Sequence, residues 1–383
     1  MTTKFISVKS WLSIGLVLLV GMMSHGLCQP TTYLMVGSYT GGVAADGIYV
    51  YQFDSATGEL TEVHREGGLV NPSFITIAPN GQYLYACTDT KLKTSGSISA
   101  FSIDTRSGKL KYINKQTTDA RNPVHVTVDR DNKYVVSSNY SETSLTIFRP
   151  NTDGSLPPYT QRMTFSGKSI VSGRQEGSHL HSAGFDPTNQ YLFAPDLGTD
   201  QIRAFSFAAD GSLQAADHFT VANKPGSGPR HFTFSPDGRF AYCVEELSGT
   251  VSTFRYANGQ WKEIDSDLTQ LSPADDYASA DIHISPDGLF LYASNRAELN
   301  NISIFKIDQT NGTLSLLTTQ PVGGKHPRSF VIDPSGQFLI SANQNSGNLV
   351  VFKRDTNTGL LTQTATEIQV NSPSSLKMIT YQN

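Results

Sequence analysis

Three cysteines in 383 residues are too few for a disulfide-stapled scaffold. Cys87 and Cys243 lie inside strand-like runs, Tyr83-Leu-Tyr-Ala-Cys87 and Phe240-Ala-Tyr-Cys243, in different repeats, which reads as two buried free thiols. Charge is also scarce: 16% of residues, 29 basic against 33 acidic, for a net −4. Without a basic excess to displace counterions, nucleic acid is excluded as a partner. Only two tryptophans are present, and Trp11 falls in the leader. An aromatic platform for a sugar would therefore rest on tyrosines. No Gly-x-Ser-x-Gly elbow supports a serine hydrolase, and the glycines of Lys224-Pro-Gly-Ser-Gly-Pro229 lack the strand-to-helix context of a phosphate loop.

One apolar run stands out, from Trp11 to Met23, preceded by Lys4 and Lys9. It is short for a membrane span and has the charged start and apolar centre of a signal peptide. Gly26 and Cys28 are small enough for the −3 and −1 sites of a signal peptidase. The expectation is a leader over residues 1–28, export to a periplasm, and one domain over 29–383 with no stable membrane insertion. Acylation of Cys28 in a lipoprotein is the minor alternative, since His25-Gly-Leu27 makes a poor lipobox.

What the chain has in quantity is punctuation, with 32 glycines and 18 prolines spaced along it. A strand–turn–strand phrase recurs, as in Gly228-Pro-Arg-His-Phe-Thr-Phe-Ser-Pro-Asp-Gly-Arg-Phe-Ala-Tyr242 and His326-Pro-Arg-Ser-Phe-Val-Ile-Asp-Pro-Ser-Gly-Gln-Phe-Leu-Ile340. Its turns fall at Pro79, Arg130, Pro187, Pro236, Pro286 and Pro334, spaced 51, 57, 49, 50 and 48 residues apart. After each comes a second hairpin signal, such as Ile302-Ser-Ile-Phe-Lys-Ile-Asp308 with Asn311-Gly-Thr-Leu314. Four strands in about fifty residues is the period of a β-propeller blade. The chain begins at a second strand, Tyr33–Tyr39, and ends in an orphan first strand, Ser372–Ile379. Pairing the two completes a seventh blade and removes the open edges. The expected fold is all-β, a seven-bladed β-propeller closed by its own termini.

This register places candidate chemistry. Six residues before the turn, the ring reads Ser374, Ser73, Val124, His181, Arg230, Ala280 and Arg328. Nine and ten after it come Ser38-Tyr39, Thr88-Asp89, Asn139-Tyr140, Asp196-Leu197, Glu245-Glu246, Asn295-Arg296 and Asn343-Gln344. In an antiparallel hairpin these positions share one end, at one mouth of the central channel. The opposite ends carry ordinary turn formers, so that face reads as merely structural. A carboxylate among arginines is either an ion-pair network between blades or an anion-binding pocket with a general base. The nine histidines show no tight ligand cluster beyond His179-Leu-His181, and neither metal nor cofactor is expected.

The pattern resembles the seven-bladed propeller lactonases, a family that includes bacterial 6-phosphogluconolactonases and fungal carboxymuconate lactonising enzymes. Val36-Gly-Ser-Tyr-Thr40, Gly228-Pro-Arg-His-Phe232, Tyr242-Cys-Val-Glu-Glu-Leu247, Tyr292-Ala-Ser-Asn-Arg296, Pro327-Arg-Ser-Phe330 and Ala342-Asn-Gln344 carry the likeness. It implies a small-molecule lactone as substrate and catalytic roles for His181, Arg230, Glu246 and Arg296. Glu246 would be the general base, with the arginines on the oxyanion and His181 protonating the leaving alkoxide. Arg328, His179, Asn343, Gln344, Asn295 and Glu245 would contact substrate. Where relatives have asparagine this chain has Glu245, a second carboxylate expected to raise the pKa of Glu246 or to repel an anionic substrate. Relatives acting on 6-phosphogluconolactone serve a cytoplasmic pathway, whereas this leader predicts export, so the family transfers better than its substrate. The alternatives are a cycloisomerase closing a muconate-type diacid, and an exported propeller that binds a glycan or protein without turnover.

Overall fold

The computed structural model describes residues 1–3 and 30–382. The leader features, Cys28 among them, lie outside the described residues. Seven antiparallel sheets of at least four strands form the blades of a ring, in agreement with the repeat count. Blade 1 takes its innermost strand from the C-terminus: Pro373–Tyr381 pairs with Thr31–Ser38, from Thr31 opposite Tyr381 to Ser38 opposite Pro373. The termini close the ring as the sequence predicts. Among the described residues, no helix is long and apolar enough to cross a membrane.

Burial falls from the inside outwards. The second strand of blade 5, Phe240–Glu245, is buried throughout, while the outermost strand of blade 7, Leu361–Gln369, alternates toward solvent. Each blade packs its apolar face on the next; Tyr33, Met35, Ile48 and Val50 of blade 1 meet Ile75, Leu84, Ala86 and Phe101 of blade 2. Repeated tyrosines tie neighbours together. Tyr85, Tyr242 and Tyr292 donate their hydroxyls to the carbonyls of Gly154, Gly312 and Gly359 in the following blade, at 3.0, 2.8 and 2.7 Å. Gly312 has φ of +83°, and a Cβ there would meet the Phe240 ring at 2.3 Å, so no other residue fits this contact. Cys87 and Cys243 are free and buried.

Blade 4 departs from the pattern. Its innermost strand shrinks to Gly184–Phe185, with an isolated bridge from Leu180 to Asp196. The 57-residue interval between the turns of blades 3 and 4 is the longest of the five, and its surplus enters the segment 165–183 that leads into this strand. His179 and His181 sit at the end of that segment.

Candidate functional site

The innermost strands deliver their site residues through a repeated β-bulge. In blade 5, Pro229 pairs with Glu245 and His231 with Val244, which leaves Arg230 as the extra residue. The same irregularity frees Arg328 in blade 7, and Val124 in blade 3. A bulge leaves its residue out of the ladder and re-aims the side chain. On the adjoining strand the position paired with the bulge and the one after it part company. The first turns into its own blade; the second emerges at the channel mouth.

At that mouth the side chains converge on Glu246. Arg230 donates from Nε to Glu246 Oε2 at 2.8 Å, and Arg296 Nη2 lies 3.0 Å from the same oxygen. Arg174 donates from Nη2 to Oε1. Both arginines of the wall are braced by backbone: Arg230 donates to the Ala280 carbonyl, and Arg296 Nε to that of Ala278 at 2.7 Å. His181 Nε2 stands 4.0 Å from Glu246 Oε2, while its Nδ1 is buried without a partner among the described residues. Arg328 lines a small void with His181 and Arg230 and lies over the Tyr39 ring at 5.7 Å, and no carboxylate pairs with it among the described residues. Three guanidiniums thus pair with one carboxylate, and Arg328 adds a fourth to the lining of the mouth.

Burial sets the electrostatics. Only 6% of Glu246 and 1% of Arg230 reach solvent. Burial by itself would raise the Glu246 carboxyl, but Arg296, Arg230 and Arg174 outweigh it and hold the group well below the usual carboxylate range. Arg230 is pulled down to about 9, first by burial and then by Arg296, with Glu246 opposing. Burial, followed by Arg230 and His231, keeps His181 neutral by pushing it well below its ordinary value. Tyr39 shifts downward: burial opposes ionisation, but Arg328 and Lys91 together prevail. The mouth is strongly positive, with one spent carboxylate and a neutral His181.

The sequence-predicted residues separate into two groups. Glu246, His181, Arg230, Arg296 and Arg328 gather as described. His179 stands at the rim, its ring stacked on Tyr140 at 4.4 Å and its Nδ1 3.0 Å from the Tyr140 carbonyl. Gln344 keeps a buried side-chain oxygen without a partner among the described residues. Glu245, Asn295 and Asn343 turn away. Glu245 takes hydrogen bonds from Asn223 and Ser252 at 2.7 and 2.9 Å, and from Thr250. Asn295 donates to Asn301 and Ser303, and Asn343 to the Val322 carbonyl. These three occupy the position paired with the bulge, so they stitch strands together. Nor does Glu245 raise Glu246: burial raises Glu245 itself, against its hydrogen bonds, while the arginines pull Glu246 down.

Arg174 was not anticipated. It belongs to no repeat and rides on the segment 165–183, for which the long interval between turns was the signal in the sequence. Tyr39 and Tyr140 stand in the predicted ring of positions but were not chosen from it. Tyr140 meets His181 edge-on at 5.7 Å. His326, whose ionisation burial and then Arg296 and Arg328 push down to about 3, completes the wall beside Gln344.

An all-β ring whose channel holds a buried carboxylate among guanidiniums is a propeller with a site for anions or developing oxyanions. The family model described as a seven-bladed β-propeller lactonase matches residues 33–378, and the chain belongs to that family. It is 44% identical over 353 residues to a 6-phosphogluconolactonase of Formosa agariphila, covering 91% of this chain and 99% of that protein. A 6-phosphogluconolactonase of Bacillus subtilis is 34% identical over 349 residues, covering 90% and 97%. Among solved structures, the periplasmic gluconolactonase of Pseudomonas aeruginosa superposes with a TM-score of 0.85 at 37% identity, covering 91% of this chain and 99% of that one.

Proposed function

We propose that the protein hydrolyses sugar-acid lactones at the arginine-lined mouth, acting outside the cytoplasm on an unphosphorylated aldonolactone of the gluconolactone kind. The observation that carries this reading is the excess of guanidiniums over carboxylate in a buried channel mouth, where a lactone carbonyl would gain negative charge in the transition state. Family membership supports lactone hydrolysis. The leader pattern and the periplasmic relative support export and an unphosphorylated substrate.

The electrostatics revise the division of labour expected from sequence. Glu246 engages both oxygens with arginines, and its lowered pKa makes it a weak base. Neutral His181, whose Nε2 makes no hydrogen bond to a described residue, is left as the proton acceptor. In the proposed step, a water placed against the carbonyl gives its proton to His181 Nε2 as its oxygen bonds to the carbonyl carbon. The remaining N–H groups of Arg230 and Arg296 hold the oxyanion. Glu246, 4.0 Å away, stabilises the imidazolium that forms. When the oxyanion collapses, the ring C–O bond breaks and the imidazolium returns its proton to the leaving alkoxide. The new carboxylic acid then releases a proton to solvent. Arg328, with no carboxylate of its own, would hold substrate oxygens.

Proton release from the protein with fresh δ-gluconolactone and, separately, 6-phosphogluconolactone tests this reading, with spontaneous hydrolysis subtracted. Faster release with the unphosphorylated lactone is the expected result. Preference for the phosphorylated one would overturn the substrate, and no acceleration of either would overturn the function.

A further inference from the structure

The far mouth of the channel, beside the Pro-Asp-Gly turns, opens into a cavity of about 510 Å³. Its wall is built from the same innermost strands, three residues nearer the turn. Three residues before it, successive blades place Lys377, Thr76, Thr127, Gly184, Thr233 and His283 in a belt. Two residues deeper lie His125, His231 and Asp281.

Asp281 is fully committed. Its Oδ1 accepts from His231 Nδ1 at 3.0 Å and from the Ile282 amide at 3.1 Å. Its Oδ2 accepts from Ser329 at 2.8 Å, and from His283 and the Phe330 amide at 3.3 Å. In the belt, by contrast, His283 alone among the polar side chains is engaged, through Asp281. Lys377 has no hydrogen-bond or ion-pair partner among the described residues, its ammonium lying 5.3 Å over the Phe74 ring. Nor do the hydroxyls of Thr76, Thr127 and Thr233, which are part-exposed to the cavity, bond to any described residue. The donation of His231 Nδ1 to Asp281 leaves its Nε2 a bare acceptor, buried and without a partner among the described residues.

An amine held in a channel wall without an ion pair is costly unless something charged joins it. Three free hydroxyls and a bare imidazole nitrogen in the same wall match a ligand rich in hydroxyls. We infer that this cavity is a second binding site, for a small polyhydroxy carboxylate whose carboxylate meets Lys377 and whose hydroxyls meet the threonine belt. Phe74 and Phe232, also in its wall, offer apolar surface to the carbon chain. Binding here requires no turnover, so it stands or falls separately from hydrolysis at the opposite mouth.

Calorimetric titration with D-gluconate tests the site, using wild type, Lys377→Met and a cavity-filling Thr127→Phe. Each variant should lose one binding event or weaken it about tenfold or more, the loss expected for one charge-assisted hydrogen bond. Lactone turnover should be unchanged. Hexanoate, which lacks the hydroxyls, and inorganic phosphate should bind about tenfold more weakly than gluconate. Lys377→Met should keep or raise Tm; a fall would mark Lys377 as a structural partner of Asp281 and contradict the assignment. A gluconate isotherm identical in wild type and either folded variant would overturn the site. Lys377-dependent phosphate binding as tight as that of gluconate would overturn the ligand class.

Discussion

The two mouths of the channel draw on one repeated strand, yet their charges are arranged in opposite ways. At the bulged end a single carboxylate is saturated by arginines, and Arg328 remains without an acid. At the turn end Asp281 is saturated by histidines, a serine and two backbone amides, and Lys377 has no ion-pair partner among the described residues. In both, the acid organises its neighbours and a second basic group stays free. The difference lies in reactivity. Guanidiniums stay charged and point several donors at one place, which suits a developing oxyanion. Threonines and neutral imidazoles supply recognition without that field.

The contrast is sharpest at Glu246. Glu246→Gln should cut kcat/KM about 100- to 1,000-fold, the size of effect seen when an electrostatic partner of the transition state is lost. It should also lower Tm, because Arg230 and Arg296 would be left as uncompensated buried charges, worth about 3 kcal/mol when one partner of a buried pair is removed. Gluconate binding at the far mouth should not change. His181→Gln follows, with about a 100-fold loss in kcat and little change in KM if the imidazole carries the proton. Because neutral His181 is the active form and its pKa lies well below 6.5, wild-type activity should persist as pH falls through 6.5. An acid limb centred at 6.5 in the rate profile would contradict that assignment.

Stability should respond to pH through both mouths. Burial first, and neighbouring cations next, lower His181 well below 6.5 and bring His231 to about 4. An unfolded chain takes up those protons near 6.5 while the native one does not. The stabilisation is therefore complete above 6.5 and is lost as pH drops toward the native values. Thermal melts should show Tm falling by several degrees between pH 6.5 and 4. Arg328→Met should be milder, raising KM about tenfold with kcat nearly intact if Arg328 only holds substrate. Lys377→Met should leave lactone kinetics untouched.

Much of this was legible in the residues. The Pro-Asp-Gly phrase and its spacing gave the blades, and the unmatched strands at Tyr33 and Ser372 gave the closure. Counting from the turn brought His181, Arg230, Glu246, Arg296 and Arg328 to one mouth. Counting alone did not separate Glu245 from Glu246, because the bulge at Arg230 decides which of two adjacent side chains faces the channel. Arg174 escaped because it lies on an insertion, where a repeat carries no register. The far mouth was read as merely structural from its turn residues. Lys377, His231 and Asp281 sit just inside those turns, on strand positions the turn chemistry does not reveal, and they carry the second site proposed above.

The most direct test compares kcat/KM for δ-gluconolactone, by proton release, in wild type, Glu246→Gln and Lys377→Met. Turnover that collapses in Glu246→Gln and persists in Lys377→Met would place the chemistry at the arginine mouth. Full activity in Glu246→Gln, or loss in Lys377→Met alone, would contradict the account.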